Sequence, residues 1–255
     1  MDAGAWWWFF AGMNLPLSPR IRATGAPPIP AVRGWAARYQ GGAGPVLDLT
    51  QAVPGYPPHP DLLARLAAAA GDAEAAGYGP IEGETALREA LAADMVRAYG
   101  GRLDAADIAI TAGGNLAFTL SMMTLAGSGE AVMLPAPWYF NHRMALEALG
   151  ITCRVLPCRA EDGFLPDPAL AASLMEGVRA IVLVTPNNPT GATYSPELIA
   201  QFAKLCRDRG AWLVLDETYR DFIPEAAGAP HGLFQDAAWR DHVVHLYSFS
   251  QAYCV

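Results

Sequence analysis

Ala180-Ile181-Val182-Leu183-Val184-Thr185-Pro186-Asn187-Asn188-Pro189-Thr190-Gly191 opens as an unbroken apolar run and closes as a polar loop stiffened by two prolines. A short continuous apolar run bounded by turn residues reads as a strand covered on both faces. Trp212-Leu213-Val214-Leu215 repeats the arrangement and runs into Asp216-Glu217-Thr218-Tyr219. Working outward, the pattern alternates. Strands are expected at 107–111, 130–134, 151–155, 179–185, 211–216 and 242–248, and helices at 61–76, 84–98, 115–126, 138–149, 168–176 and 196–209. Such alternation specifies an α/β fold with a mostly parallel, doubly wound sheet.

The flanks and composition set limits. Residues 14–60 are rich in Pro and Gly and read as an amino-terminal arm with one short helix near 31–39, contributing part of a smaller domain. Residues 61–255 read as the large domain, and residues 1–13, with the run Trp6-Trp7-Trp8-Phe9-Phe10, as a non-structural extension. No segment has the roughly 20 apolar residues that a membrane span needs. A net charge of -8 argues against nucleic acid and anionic membranes as partners, because both reward clustered Lys and Arg. Cys153, Cys158, Cys206 and Cys254 show neither a CxxC pair nor metal-ligand spacing, which fits reduced thiols in a cytoplasmic protein. His242 and His245 fall on opposite faces of a strand, so no metal is expected.

In an open α/β sheet, ligands sit beyond the carboxyl ends of the strands. Thr111-Ala112-Gly113-Gly114-Asn115 leads from an expected strand into a helix, where small residues and a helix amino terminus suit an anion. By itself such a sequence is more often only a tight turn. An Asn before proline is held out of the helical region, which presents Asn188 at a defined point. Asp216 ends an apolar strand, a costly place for a carboxylate unless it meets a cation or donors.

These loops, with Tyr78-Gly79-Pro80-Ile81-Glu82-Gly83, Pro135-Ala136-Pro137-Trp138-Tyr139-Phe140-Asn141-His142 and Ser248-Phe249-Ser250-Gln251-Ala252-Tyr253, occur in one order. In that order they resemble the class I/II, fold type I aminotransferases that depend on pyridoxal 5'-phosphate. The likeness runs from about Pro28 to the last residue. It implies that Gly113, Gly114 and Asn115, with Ser248 and Ser250, hold the cofactor phosphate. It also implies that Tyr139 stacks on the pyridine ring, a role its neighbour Trp138 might be mistaken for, and that Asn188 and Tyr219 donate to the phenolic oxygen. Asp216 would pair with the protonated ring nitrogen, Tyr78 would reach the phosphate of a neighbouring subunit, and Ala52 to Pro54 would line the substrate entrance. The implied partners are an amino acid, a 2-oxo acid and a second copy of the chain.

Gln251 departs from the resemblance, for it stands where the family has its Schiff-base lysine. That lysine holds the cofactor, exchanges it onto the substrate amine and moves a proton. A carboxamide has no nucleophilic lone pair on nitrogen and no useful pKa. Lys204 is the sole lysine, and it falls on the polar side of a helix whose apolar face is Leu198, Ile199, Phe202, Leu205 and Cys206. The resemblance further implies a continuation of roughly half as many residues again. That continuation would supply two arginines, most of the small domain and an antiparallel strand between 107–111 and 242–248. The expectation is an aminotransferase chain that is inactive as written. A non-catalytic cofactor-binding module, a degenerate fragment, or a β-lyase of the same fold are the alternatives.

Overall fold

The computed structural model describes residues 17–51, 54–224, 226 and 228–255. The expectations for residues 1–13 and for Ala52 and Val53 therefore lie wholly or partly outside the described residues. Five parallel strands form one sheet: β1 (Ala131–Ala136), β2 (Thr152–Pro157), β3 (Val178–Val184), β4 (Trp212–Asp216) and β5 (Val243–Leu246), in the order β2-β1-β3-β4-β5. The helices are α1 (Pro19–Ala23), α2 (Ile29–Ala36), α3 (Pro60–Ala70), α4 (Thr85–Tyr99), α5 (Gly114–Leu125), α6 (Phe140–Leu149), α7 (Pro168–Ser173), α8 (Pro196–Arg209) and α9 (Phe249–Tyr253).

Strand periodicity divides the core in two. Met133, Ile181, Leu183, Leu213, Leu215 and Val243 face Met95 and Tyr99 of α4, Ala171 of α7, and Ile199, Phe202 and Cys206 of α8. Their neighbours Val132, Leu134, Ala180, Val182, Val214 and Leu246 face Phe118, Met122 and Leu125 of α5 and Leu146 of α6. Each central strand is thus buried on both sides, which is why its sequence shows no polar alternation.

One expected strand does not form. Residues 108–111 are extended but pair with no strand; Ile110 N–H donates instead to Glu82 O at 2.8 Å. A strand is defined by a partner, and here none is within reach: a groove of about 590 Å³ separates this segment from β5, which is an edge strand. Its lining includes Ile108, Ile110, Leu120, Val243, Val244 and Leu246. Among the described residues no helix is long and apolar enough to cross a membrane.

Candidate functional site

The sheet and its loops build one cleft at the carboxyl ends of β3, β4 and β5. Gly114, Asn115, Tyr139, His142, Val184, Asn188, Asp216, Thr218, Tyr219, Ser248, Ser250 and Gln251 enclose about 200 Å³. Of the residues picked out in the sequence for the cofactor, Gly114, Asn115, Tyr139, Asn188, Asp216, Tyr219, Ser248, Ser250 and Gln251 are in this lining, and Pro54 of the expected entrance segment is not. Gly113 stands just outside it, and Tyr78 is fully exposed and away from it.

At one end lies the start of α5. Gly113 caps the helix at φ 89° and ψ 160°, a conformation essentially confined to glycine, so the chain turns abruptly and aims the helix amino terminus at the cleft. Ser248 caps α9 by accepting from Ser250 N–H at 3.2 Å, and its Oγ donates to Ser250 Oγ at 3.1 Å. A Cβ on Gly114 would lie 3.7 Å from Ser248 Cβ. The two segments therefore meet side by side, with small residues, backbone N–H groups and hydroxyls gathered at this end.

The loop after β3 separates its two asparagines by task. Asn187 Oδ1 accepts from Thr190 Oγ1 at 2.9 Å and from Thr190 N–H at 3.2 Å, and its backbone bonds Ala192 and Gly191. Asn187 is buried and closes the loop. Asn188, freed from that duty, turns into the cleft and donates from Nδ2 to the Tyr219 hydroxyl at 3.3 Å. Burial pushes the Tyr219 phenol up, which keeps it a neutral donor, although the Asn188 bond acts the other way.

At the far end stands Asp216. It is buried, and Thr218 donates to Oδ1 from both N–H, at 3.1 Å, and Oγ1, at 2.7 Å. His142 Nε2 sits 3.2 Å from Oδ2. Burial opposes ionisation of this carboxyl, yet the His142 and Thr218 contacts outweigh it and hold the group below the usual carboxylate range. His142 is itself oriented by stacking on Phe118, with ring centroids 3.9 Å apart. His142 was legible only as part of the Pro135–His142 motif, and nothing in its spacing announced the contact with Asp216. Tyr139, whose hydroxyl accepts from Asn141 Nδ2 at 2.7 Å, presents its ring to the cleft. Trp138 instead packs into the core layer of α5 and α6, beneath the Arg143 guanidinium.

Glu217 follows Asp216 and, by strand alternation, points to the other side of the sheet. Its Oε2 accepts from the Tyr99 hydroxyl and lies 2.8 Å from His245 Nε2 and 3.6 Å from His231 Nε2. The three groups have the composition of a metal site, but the hydrogen bonds decide otherwise. His231 Nδ1 accepts Leu233 N–H at 3.2 Å, so the ring proton sits on Nε2 and leaves no lone pair there for a metal. Oε2 of the buried Glu217 meets the Tyr99 hydroxyl and His245, while Glu217 Oε1 and His231 Nε2 have no hydrogen-bond partner among the described residues. The cluster anchors the turn that carries Asp216, Thr218 and Tyr219.

Gln251 lies in the cleft wall on α9. Lys204 is exposed on α8 and paired with Asp208, outside the cleft. A helix amino terminus beside two serine hydroxyls, an aromatic ring, the Asn188–Tyr219 pair and a depressed carboxylate are chemistry that a phosphorylated heteroaromatic cation such as pyridoxal phosphate would fit. What the cleft lacks is an amine to tether it.

The profile of the family "Aminotransferase class I and II" matches residues 45–255. The chain belongs to this family. Its members depend on pyridoxal phosphate, and the likeness extends to named relatives. The chain is 31% identical over 242 residues to aromatic aminotransferase ISS1 of Arabidopsis thaliana, covering 93% of itself and 58% of that protein. It is 30% identical over 235 residues to valine–pyruvate aminotransferase of Mycobacterium tuberculosis, covering 91% of itself and 59% of the relative. The fold matches the aspartate aminotransferase of Thermus thermophilus, solved with maleate, at a TM-score of 0.79 and 25% identity, over 94% of this chain and 62% of that one. The aminotransferase chain thus spans about 60% of the length of the relatives it matches.

Proposed function

We propose that this chain is the cofactor-binding part of an amino acid aminotransferase and that, with glutamine at position 251, it holds pyridoxal phosphate reversibly and does not turn over. The observation that carries the reading is the single cleft in which Asn188, Asp216, Tyr219, Tyr139 and the α5 amino terminus surround Gln251. Gly113, Gly114, Asn115, Ser248 and Ser250 bind the phosphate. Asp216, kept ionised by His142 and Thr218, holds a proton on the ring nitrogen. Asn188 and Tyr219 orient the phenolic oxygen, and Tyr139 covers the ring. When bound, the cofactor supplies an electron-withdrawing ring that stabilises negative charge at the α-carbon of an amino acid. None of these residues moves the α-proton. A positioned acid–base group alone is worth roughly 10²- to 10⁴-fold, so its loss, together with that of the exchangeable amine, leaves no measurable transamination.

The substrates are an amino acid and a 2-oxo acid. The relatives' names span aromatic, valine–pyruvate and aspartate specificities, so the pair is left at that class. Exposed Tyr78 suits a contact with a second copy, and the unpaired Cys153, Cys158, Cys206 and Cys254 suit a cytoplasmic setting. Absorbance and borohydride reduction test the central reading. Added pyridoxal phosphate should bind with the spectrum of a free aldehyde, and reduction should fix none of it to protein. Gln251→Lys should convert it to a reducible adduct at position 251. A pyridoxyl group found on Lys204, or absence of binding, would sink the proposal.

A further inference from the structure

The cleft that receives the cofactor carries one carboxylate, Asp216, and its lining holds neither arginine nor lysine. His142 is engaged with Asp216, its Nε2 lying 3.2 Å from Oδ2. The remaining polar side chains are Asn115, Tyr139, Asn188, Thr218, Tyr219, Ser248, Ser250 and Gln251, all neutral, since burial holds the Tyr219 phenol in its protonated form. Among the described residues the carboxamide of Gln251 has no hydrogen-bond partner. Only its backbone carbonyl is engaged, 3.4 Å from the Tyr56 hydroxyl. With Asp216 already met by His142 and Thr218, the unpaired carboxamide of Gln251 is the group in this wall free to accept from a ligand ammonium.

We propose that Gln251 makes this cleft selective for the amine form of the cofactor, pyridoxamine 5'-phosphate, over the aldehyde. The inference rests on the reading above that the cleft takes a phosphorylated pyridine of this class. The two ligands share phosphate, ring nitrogen and phenolic oxygen, so every contact proposed for those groups is common to both and cancels in the comparison. They differ at one carbon, which carries an ammonium in one and a neutral aldehyde in the other. Gln251 Oε1 accepts from the ammonium, whereas its Nδ-equivalent amide, Nε2, donates to the aldehyde. A charge-assisted hydrogen bond is roughly twice as strong as a neutral one. With lysine at 251 the order reverses, because the aldehyde finds a nucleophilic amine and the ammonium a like charge.

Binding of each ligand to the 255-residue chain is measured by quenching of intrinsic fluorescence in amine-free buffer, for the wild type, Gln251→Glu and Gln251→Lys. The wild type should bind the amine at least about tenfold more tightly. Gln251→Glu should widen that ratio, and Gln251→Lys should invert it while making the aldehyde fixable by borohydride. Equal affinities in the wild type, or a preference unchanged in both variants, would overturn the selectivity and leave the cofactor reading standing. Failure of the wild type to bind either ligand would overturn both.

Discussion

Adjacent residues at the end of β4 carry opposite duties. Asp216 faces the cleft and Glu217 faces the buried cluster of Tyr99, His231 and His245. Burial alone would raise the Glu217 carboxyl, but the two histidines outweigh it and hold it well below the usual carboxylate range. A carboxylate with a depressed folded pKa contributes stability that is fully present above its unfolded value, near about 4.3, and is lost as pH falls through the folded value. Asp216 is shifted in the same direction, so both groups weaken the fold on the acid side. Glu217→Gln should therefore destabilise the chain at pH 7 by about 1.5 to 3 kcal/mol, the range for hydrogen bonds to a charged group. Urea unfolding at pH 7 and at pH 3 checks this. The gap between wild type and variant should narrow at the lower pH, and a gap that stays constant would mean that the charge on Glu217 contributes nothing. Little of this cluster was legible in the sequence. Its members stand at 99, 217, 231 and 245, and no local pattern links them.

Elements were legible where local chemistry decides them and illegible where a partner does. The apolar runs that became β1, β3 and β4 are buried on both faces, so composition alone located them to within a residue or two, whereas β2 is a half-exposed edge strand. The segment at 107–111 has similar composition but forms no ladder, because pairing depends on a neighbour that composition does not encode. The start of α5 lies between these cases. Gly113 was read in the sequence as part of a phosphate cradle with a tight turn as the plainer reading, and its φ of 89° and ψ of 160° make glycine obligatory there, although no atom lies within 4 Å of a Cβ placed there. Gly113→Ala should thus cost about 1 to 3 kcal/mol through backbone strain alone. By tilting the first N–H groups of α5 it should also weaken binding of both forms of the cofactor. Gly114→Ala meets only ordinary contact with Ser248 and serves as the control for the fold. Equal melting temperatures for wild type and Gly113→Ala would show that the turn relaxes freely and that the helix amino terminus is not held in place by it.

At the scale of the whole molecule, the groove of about 590 Å³ beside β5 is a mainly apolar feature. One wall is an unpaired strand edge, and the other is an extended segment, 108–111, joined to no strand. Unpaired edge groups next to apolar side chains recruit other chains, and apolar patches beyond a few hundred Å² drive association. Leu120, which lines the groove, and Met123, one turn further along α5, are 45% and 62% exposed. The arm adds Trp35, Leu47 and Leu49, all exposed. The 255-residue chain should therefore self-associate, giving by size exclusion with light scattering a mass above the 27.1 kDa of one chain. Two surfaces compete to explain it, and substitutions separate them. Leu120→Glu with Met123→Glu places charge at the groove on side chains whose exposure spares the core, and it should shift the population toward monomer. Trp35→Glu with Leu49→Glu tests the arm in the same way. A monodisperse 27.1 kDa wild-type chain that melts cooperatively would show that the groove is closed in solution by residues of the chain itself.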